Sequence, residues 1–91
     1  MVQKLVFILS DEETEFCQSL DKYPCDQKEA TQRSNVLFIF KKKFKLTIKE
    51  CSELFGISMS KWSKFISLDL IPPANICFFA TKSLKNLNKI Y

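Results

Sequence analysis

Histidine is absent from the 91-residue chain, and glycine occurs only once. Without histidine, the chain has no Ser–His or Cys–His pair for nucleophilic catalysis and no histidine-containing zinc set. It also lacks a glycine-rich phosphate loop and an H-E-x-x-H pattern. One glycine and three prolines leave little turn chemistry for a many-stranded sheet, so these counts favour an all-α fold. We therefore expect a protein that is not an enzyme, with no cofactor, no metal site and no small-molecule substrate.

Long apolar runs are also missing. The run near the N-terminus, Leu5 to Leu9, is too short for a signal-peptide core, and no window approaches the roughly 20 apolar residues of a transmembrane helix. These absences predict a soluble cytoplasmic protein with no membrane partner. The four cysteines have no C-x-x-C spacing and mostly apolar neighbours. This favours free, partly buried thiols, with a pair of disulfides as the alternative. They are Cys17, Cys25, Cys51 and Cys77.

The charges are divided unevenly along the chain. Residues 1 to 35 contain seven acids and four bases, a net charge of −3, whereas residues 36 to 91 contain ten lysines and three acids, a net charge of +7. A basic C-terminal part fits a polyanionic partner, with nucleic acid first and anionic lipid second. The alternative is that the lysines keep a phenylalanine-rich fold soluble. We expect a single domain over residues 1–91, with an acidic lead (1–30) and a basic core (31–91).

Capping residues and apolar spacing predict four to five helices. Ser10 and Glu13 have capping-box spacing at the start of the first helix, where we expect Phe16, Cys17 and Leu20 to form the buried stripe. Residues 2 to 9, ahead of it, are predicted as a short strand or as the lead-in to that helix.

A second helix is predicted over residues 28 to 44. Leu37, Phe40 and Phe44 lie at i, i+3 and i+7, and Val36 and Ile39 broaden this apolar stripe. Two β-strands are the alternative, because residues 36 to 40 have strong β propensity, but no primed-turn pair follows them. The chain breaks at residues 71 to 73, and a last helix is predicted over residues 73 to 89.

The glycine lies in "TIKECSELFGISMSKWSKFI", residues 47 to 66. Thr47 is suited to cap a helix over residues 48 to 55, and Ser58 to cap another over residues 59 to 67. Two short helices joined at a sharp angle need a turn residue with positive φ, where glycine has no steric cost. Gly56 meets that need, and Ser52 supplies a small side chain where the helices cross.

The apolar residues around Gly56 are spaced to point inward. We expect a core position for Trp62, with base stacking as the alternative, and inward positions for the others: Cys51, Phe55, Ile57 and Phe65. The residues left pointing outward at the second helix are Ser58, Ser60, Ser63, Lys64 and Ser67.

The segment "LTIKECSELFGISMSKWSKFI" resembles the helix-turn-helix of the phage repressor and Cro superfamily, including CII-like small phage or plasmid regulators. The following "LIPPANICFFATKSL" resembles the proline-led next helix of those proteins, so the resemblance covers residues 35 to about 84. A weaker likeness is to PapB-type fimbrial regulators. The sequence departs from the family pattern at Trp62, which is bulkier than the usual β-branched residue. The outward face also has no Arg, Gln or Asn, the side chains that contact bases bidentately.

The resemblance implies a DNA-binding transcription regulator that docks the helix 59–67 in the major groove of double-stranded DNA, as a homodimer. The last helix, the N-terminal segment and some of the phenylalanines (Phe38, Phe40, Phe44, Phe78 and Phe79) are the expected dimer surfaces. The alternative function is a small protein-binding adaptor or inhibitor that reuses this fold. The predicted DNA-binding residues are Ser58, Met59, Ser60, Lys61, Ser63, Lys64 and Ser67, with phosphate contacts from Lys41, Lys42, Lys43, Lys45 and Lys49.

Overall fold

The computed structural model describes residues 5–22 and 25–90, with side chains as far as Leu87. The protein is all-α, as predicted. The described residues form five helices, which are α1 (Asp11–Asp21), α2 (Gln27–Lys43), α3 (Ile48–Phe55), α4 (Met59–Ser67) and α5 (Ala74–Ile90). The alternative of two strands over residues 36 to 48 is wrong, because α2 continues to Lys43 and α3 begins at Ile48.

Local side-chain chemistry accounts for where the helices begin. The Ser10 Oγ accepts from the Glu13 N–H at 3.1 Å, and a Glu13 carboxylate oxygen accepts from the Ser10 N–H at 2.9 Å. Thr47 and Glu50 form the same capping box on α3, with the same two distances. Both helices therefore begin at side chains that satisfy their free backbone donors. The observed bounds of α3 and α4 equal the predicted ones, and α2 and α5 each differ by one residue at both ends.

The core lies where α2, α3, α4 and α5 meet. Its fully enclosed side chains include Leu37 and Phe40 from α2, Cys51 from α3 and Trp62 from α4. The buried face of α5 contains Ile76, Cys77, Phe79 and Ala80. Ile39, which was expected to broaden the buried stripe of α2, is 45% exposed.

The N-terminal segment packs on this core without forming a strand or a helix. Residues 5 to 10 have no regular secondary structure, and residues 1–4 lie outside the part of the chain that the structure describes. The Phe7 ring meets the rings of Phe55 and Phe79 edge-on, with centroid distances of 5.1 and 5.2 Å. One face of the segment is therefore internal, while Val6 and Ile8 are exposed.

The buried stripe predicted for α1 is correct only at Cys17. Phe16 is 47% exposed and Leu20 is 43% exposed, because α1 turns the side that contains Glu13, Cys17 and Asp21 towards α5. Along the outer edge, the Phe16 ring contacts the Phe78 ring at a centroid distance of 6.0 Å.

Polar contacts tie α1 to α5 at both ends. The Lys82 ammonium lies 3.1 Å from a Glu13 carboxylate oxygen, and the Asp21 carboxylate accepts from the Ala74 N–H at 3.2 Å. The first helix and the last therefore run antiparallel, with the acidic part of the chain joined to the basic part. None of the described helices is long and apolar enough to cross a membrane.

Candidate nucleic-acid interface

The turn between α3 and α4 consists of Gly56, Ile57 and Ser58. Gly56 has φ +67° and ψ +36°, which is the left-handed region that the sequence predicted for it. Its N–H donates to the Glu53 carbonyl at 3.3 Å, and the Ile57 N–H donates to the Ser52 carbonyl at 2.9 Å. These two bonds form a Schellman motif that closes the end of α3. A Cβ added at Gly56 would meet no atom within 4 Å, so backbone conformation alone requires glycine here.

Aromatic packing holds α4 against α3. Trp62 is 1% exposed and Phe65 is 2% exposed, which confirms the predicted core positions and leaves Trp62 unable to stack on a base. The Phe55 and Trp62 rings lie 6.1 Å apart with an interplanar angle of 7°. Because the inward side of α4 is fully occupied, its orientation is set by a rigid core, and the opposite side must face solvent.

The C-terminal end of α4 is held by α2 through contacts that the sequence analysis did not find. The Ser34 Oγ donates to the Ile66 carbonyl at 2.9 Å, and Ser34 is buried. One residue earlier, Arg33 Nη1 donates to the Pro72 carbonyl at 2.8 Å. The sequence did contain a signal for this contact. Ser34 is a polar residue on the apolar stripe of α2, three positions before Leu37. A buried hydroxyl needs such a partner.

The outward side of α4 presents the predicted binding residues. All seven of them are exposed, and the Met59 side chain is 53% exposed. Ser58 is partly used by the fold, because its Oγ accepts from the Lys61 N–H at 3.0 Å. Ser67 donates to the Lys64 carbonyl at 3.3 Å. In the described part of the chain, Ser60 and Ser63 make no side-chain hydrogen bond, so their hydroxyls are free to contact a ligand.

The five lysines ahead of α4 differ in accessibility. Lys43, Lys45 and Lys49 are exposed. Lys42 is exposed too, and its Nζ lies 5.3 Å from the Phe38 ring centroid, on the outer side of α2. Lys41 is half-buried. Four of these five lysines predicted to contact phosphates are therefore exposed.

The electrostatic environment differs among the helix N-termini. The first turns of α1, α2 and α3 contain acids, whereas the first turn of α4 contains none. The partial positive charge of the α4 N-terminus is therefore not offset from within the helix, and Lys61 and Lys64 add to it. Residues 41 to 67 contain seven lysines against Glu50 and Glu53. The ion pairs found among the described residues involve none of these lysines.

The cysteine thiols have low reactivity. All four cysteines are free, so the disulfide alternative is wrong. Burial raises the pKa of Cys51 to about 11, although the nearby Lys41 ammonium acts in the opposite direction. Burial also raises the pKa of Cys77 to about 12. Thiols with raised pKa values are poor nucleophiles and poor metal ligands at neutral pH. No cluster of potential metal-binding side chains occurs in the part of the chain that the structure describes.

Comparison of the chain with protein-family models, with curated proteins and with solved structures gives no match. The assignment of this interface therefore depends on its own geometry and charge.

Proposed function

We propose that the protein is a transcription regulator that binds double-stranded DNA and inserts α4 into the major groove. The observation on which this depends is the outward side of α4. It is polar, basic and exposed, and the buried Trp62 and Phe65 fix its orientation. An α-helix fits the major groove of B-DNA, and a helix that enters by its N-terminal end brings its first turns closest to the bases.

The first turns of α4 supply contacts of different kinds. Ser60 and Ser63 offer hydroxyls that donate to or accept from base edges, and the exposed Met59 is suited to an apolar contact with a thymine methyl group. Lys64, one turn further on, can reach a guanine edge or a phosphate. Base selection through this side is modest, because it has no Arg, Gln or Asn for bidentate contacts.

The lysines outside α4 act on the DNA backbone. Lys43, Lys45 and Lys49 are exposed and make no ion pair among the described residues, so they are available to phosphates. Phosphate contacts position a protein on the duplex without selecting a sequence. If about five lysines each neutralise one phosphate, log K falls with log salt with a slope of roughly −4 to −5.

The test is selection of bound duplexes from a random pool, followed by affinity measurements over a series of salt concentrations. We expect an enriched motif for the parent chain. Lys64→Ala should weaken binding or relax the motif and reduce the salt slope by about 1, while the fold is retained. Lys28→Ala is the matched control, because it removes an exposed lysine from the first turn of α2, outside the proposed interface.

Two results would contradict the proposal. One is an equal loss of affinity in Lys28→Ala and Lys64→Ala, since binding would then depend on the total charge and not on the position of α4 in the groove. The other is a parent chain that does not bind duplex DNA even at low salt.

A second candidate function is a protein-binding adaptor or inhibitor. The observation that favours it is the outer side of α1, where Phe16 and Leu20 are exposed beside several acids. Exposed aromatic and aliphatic residues next to charges are typical of protein interfaces. Salt-labile duplex binding with no enriched motif would favour this candidate over the regulator.

A further inference from the structure

The outer side of α2 combines exposed apolar side chains with lysines. Phe38 is 48% exposed and Ile39 is 45% exposed. Lys42 and Lys43 are exposed too, and because they follow these two residues by four positions, the four side chains lie on one side of the helix. Exposed apolar residues that are grouped in this way mark interaction sites for proteins or membranes. We call these four residues the α2 patch, and we propose that it binds the surface of an anionic lipid membrane.

The position of the patch is fixed by the core on the other side of α2. Leu37 and Phe40 are fully enclosed there, so the patch must face solvent. Within the patch, the Lys42 Nζ lies 5.3 Å from the Phe38 ring centroid, which places an ammonium group beside an apolar ring. A helix packed on the outside of a domain is convex towards solvent, so it can lie against a flat partner such as a bilayer.

No acidic side chain interrupts the sequence around the patch. Between Glu29 and Glu50 the chain contains five lysines and Arg33 but no aspartate or glutamate. Lys45 and Lys49 are exposed and extend the positive charge beyond the end of α2. Each lysine close to an anionic lipid surface strengthens binding about fivefold. The ion pairs found among the described residues use none of these lysines, so their charges are available to lipid headgroups.

The types of side chain in the patch favour a membrane over other anionic partners. Protein interfaces are enriched in arginine and depleted of lysine, whereas both cations of the patch are lysines. The arginine of this segment, Arg33, is used by the fold, because it donates to the Pro72 carbonyl. A DNA backbone would bind the lysines but would leave Phe38 and Ile39 exposed. At a membrane, these two side chains enter the boundary between headgroups and acyl chains, while the lysines stay among the headgroups.

Binding of this kind is peripheral and reversible. The patch covers residues 38 to 43, about 9 Å of helix, so only two large apolar side chains enter the bilayer. Because this apolar anchoring is weak, binding should require anionic lipid and should fall as salt rises. Peripheral binding needs no spanning helix. The lack of long apolar runs, from which we expected no membrane partner, therefore does not exclude it.

The test is co-sedimentation of the full chain with vesicles of phosphatidylcholine alone or of phosphatidylcholine mixed with phosphatidylserine. We expect the parent chain to bind only the mixed vesicles and to release them as salt rises. The variant Phe38→Gln/Ile39→Gln should bind about tenfold more weakly or worse, because it removes the apolar side chains and keeps every lysine. The matched control is Phe16→Gln/Leu20→Gln on the outer side of α1, where the two residues are 47% and 43% exposed beside acids. Circular dichroism checks that both variants are folded.

Lysine substitutions test the contribution of charge. Lys42→Gln should weaken vesicle binding about fivefold, because it removes one charge from the patch. Lys85→Gln, which removes an exposed lysine from α5, should leave vesicle binding unchanged. This pair also tests the proposal if Phe38→Gln/Ile39→Gln does not fold.

Three results would overturn the proposal. These are a parent chain that does not bind mixed vesicles even at low salt, equal losses in the α1 and α2 double variants, and equal binding by Lys42→Gln and Lys85→Gln.

Duplex binding by the same variants separates this surface from the proposed function, on which the proposal does not rest. We expect Phe38→Gln/Ile39→Gln to bind duplex DNA like the parent. A joint loss of vesicle and duplex binding in that variant would assign the patch to DNA instead. A parent chain that binds duplex DNA but no vesicles contradicts the membrane proposal alone, and the reverse contradicts the proposed function alone.

Discussion

Two helix pairs in this small domain differ in what their charged side chains contact. Between α1 and α5, Glu13 pairs with Lys82, and Asp21 accepts from the backbone of Ala74, so charges hold the helices in register. Between α3 and α4, the contacts are apolar, chiefly the stacked rings of Phe55 and Trp62. No lysine of that second pair is in an ion pair among the described residues.

The difference shows that two kinds of contact position the helices of this short chain, charged contacts between α1 and α5 and apolar contacts between α3 and α4. Where charges are used to position helices, they are unavailable to a partner. Where an aromatic core positions the helices, the charges on the opposite side stay free. Removing core side chains should therefore disrupt α3–α4 far more than α1–α5, whereas changes in pH should act mainly on α1–α5.

The largest expected effect is at Trp62. Trp62→Ala should lower the free energy of unfolding by about 3 to 5 kcal/mol, because it leaves a large cavity between α3 and α4. Phe16→Ala, on the half-exposed edge of α1, should cost much less. Urea unfolding followed by far-ultraviolet circular dichroism measures both, since the Trp62 variant has no tryptophan to report by fluorescence. Equal losses would show that the two pairs share one type of packing.

Gly56 comes next. Because φ is +67° and the surrounding space is open, Gly56→Ala should cost about 1 to 2 kcal/mol through backbone strain alone. Gly56→Val should cost more, because β-branched residues fit that conformation less well, and Gly56→Asn should cost less. Thermal unfolding of the three variants gives the order. An order that follows side-chain size, with asparagine no better than valine, would indicate a steric cause instead.

A substitution at Lys45 should raise the stability of the fold and weaken the proposed DNA binding. It lies in the left-handed region with φ +54°, and it is exposed. Lys45→Gly should raise the free energy of unfolding by about 0.5 to 1 kcal/mol, because glycine adopts this conformation without the steric cost. The same change should weaken duplex binding, because it removes one of the proposed phosphate contacts. Leu68, also left-handed at φ +67°, is the comparison site. It is half-buried, so its replacement by glycine also loses packing and should not stabilise the fold.

The smallest expected effect is on the pH dependence of stability, through the contact between α1 and α5. The pKa of Glu13 is lowered from 4.5, first by the hydrogen bond from the Ser10 N–H and then by that from Lys82. A carboxyl group with a lowered folded-state pKa stabilises the fold above its unfolded-state pKa, and the contribution is lost as the pH falls through the folded-state value.

Glu13→Gln should therefore reduce the difference in urea midpoint between neutral pH and about pH 3.5. Glu53→Gln, on α3, is the control, because that carboxylate makes no hydrogen bond or ion pair among the described residues. An identical pH response in the parent and Glu13→Gln would show that the ionised Glu13 carboxylate, with its contacts to the Ser10 N–H and Lys82, contributes nothing to the pH dependence of stability.

The fold could be predicted well wherever local chemistry was decisive. The capping box at Thr47, the left-handed Gly56 and the cap at Ser58 act within a few residues, so the bounds of α3 and α4 followed from the sequence. The spacing of Trp62 and Phe65 was also sufficient to predict which side of α4 is buried, because α4 has a single apolar stripe.

The first helix shows where such reasoning fails. Two sides of α1 contain apolar residues, Cys17 on one and Phe16 with Leu20 on the other. Helical periodicity cannot choose between them, because the choice depends on contacts with residues far away in sequence, such as Lys82 and Ala74. The anchoring of α4 by Ser34 was missed on the same grounds, since its partner is the carbonyl of Ile66, 32 residues away.

The chain by itself determined the bounds of α3 and α4, the turn at Gly56 and the polar outward side of α4, because caps, backbone conformation and helical spacing act over a few residues. Only the tertiary structure decided which side of α1 is buried, that Phe7 packs on the core, and which lysines are in ion pairs among the described residues. Those outcomes depend on contacts between residues that are far apart in sequence. Whether burying one side of a helix is favourable depends on the residues that pack against it.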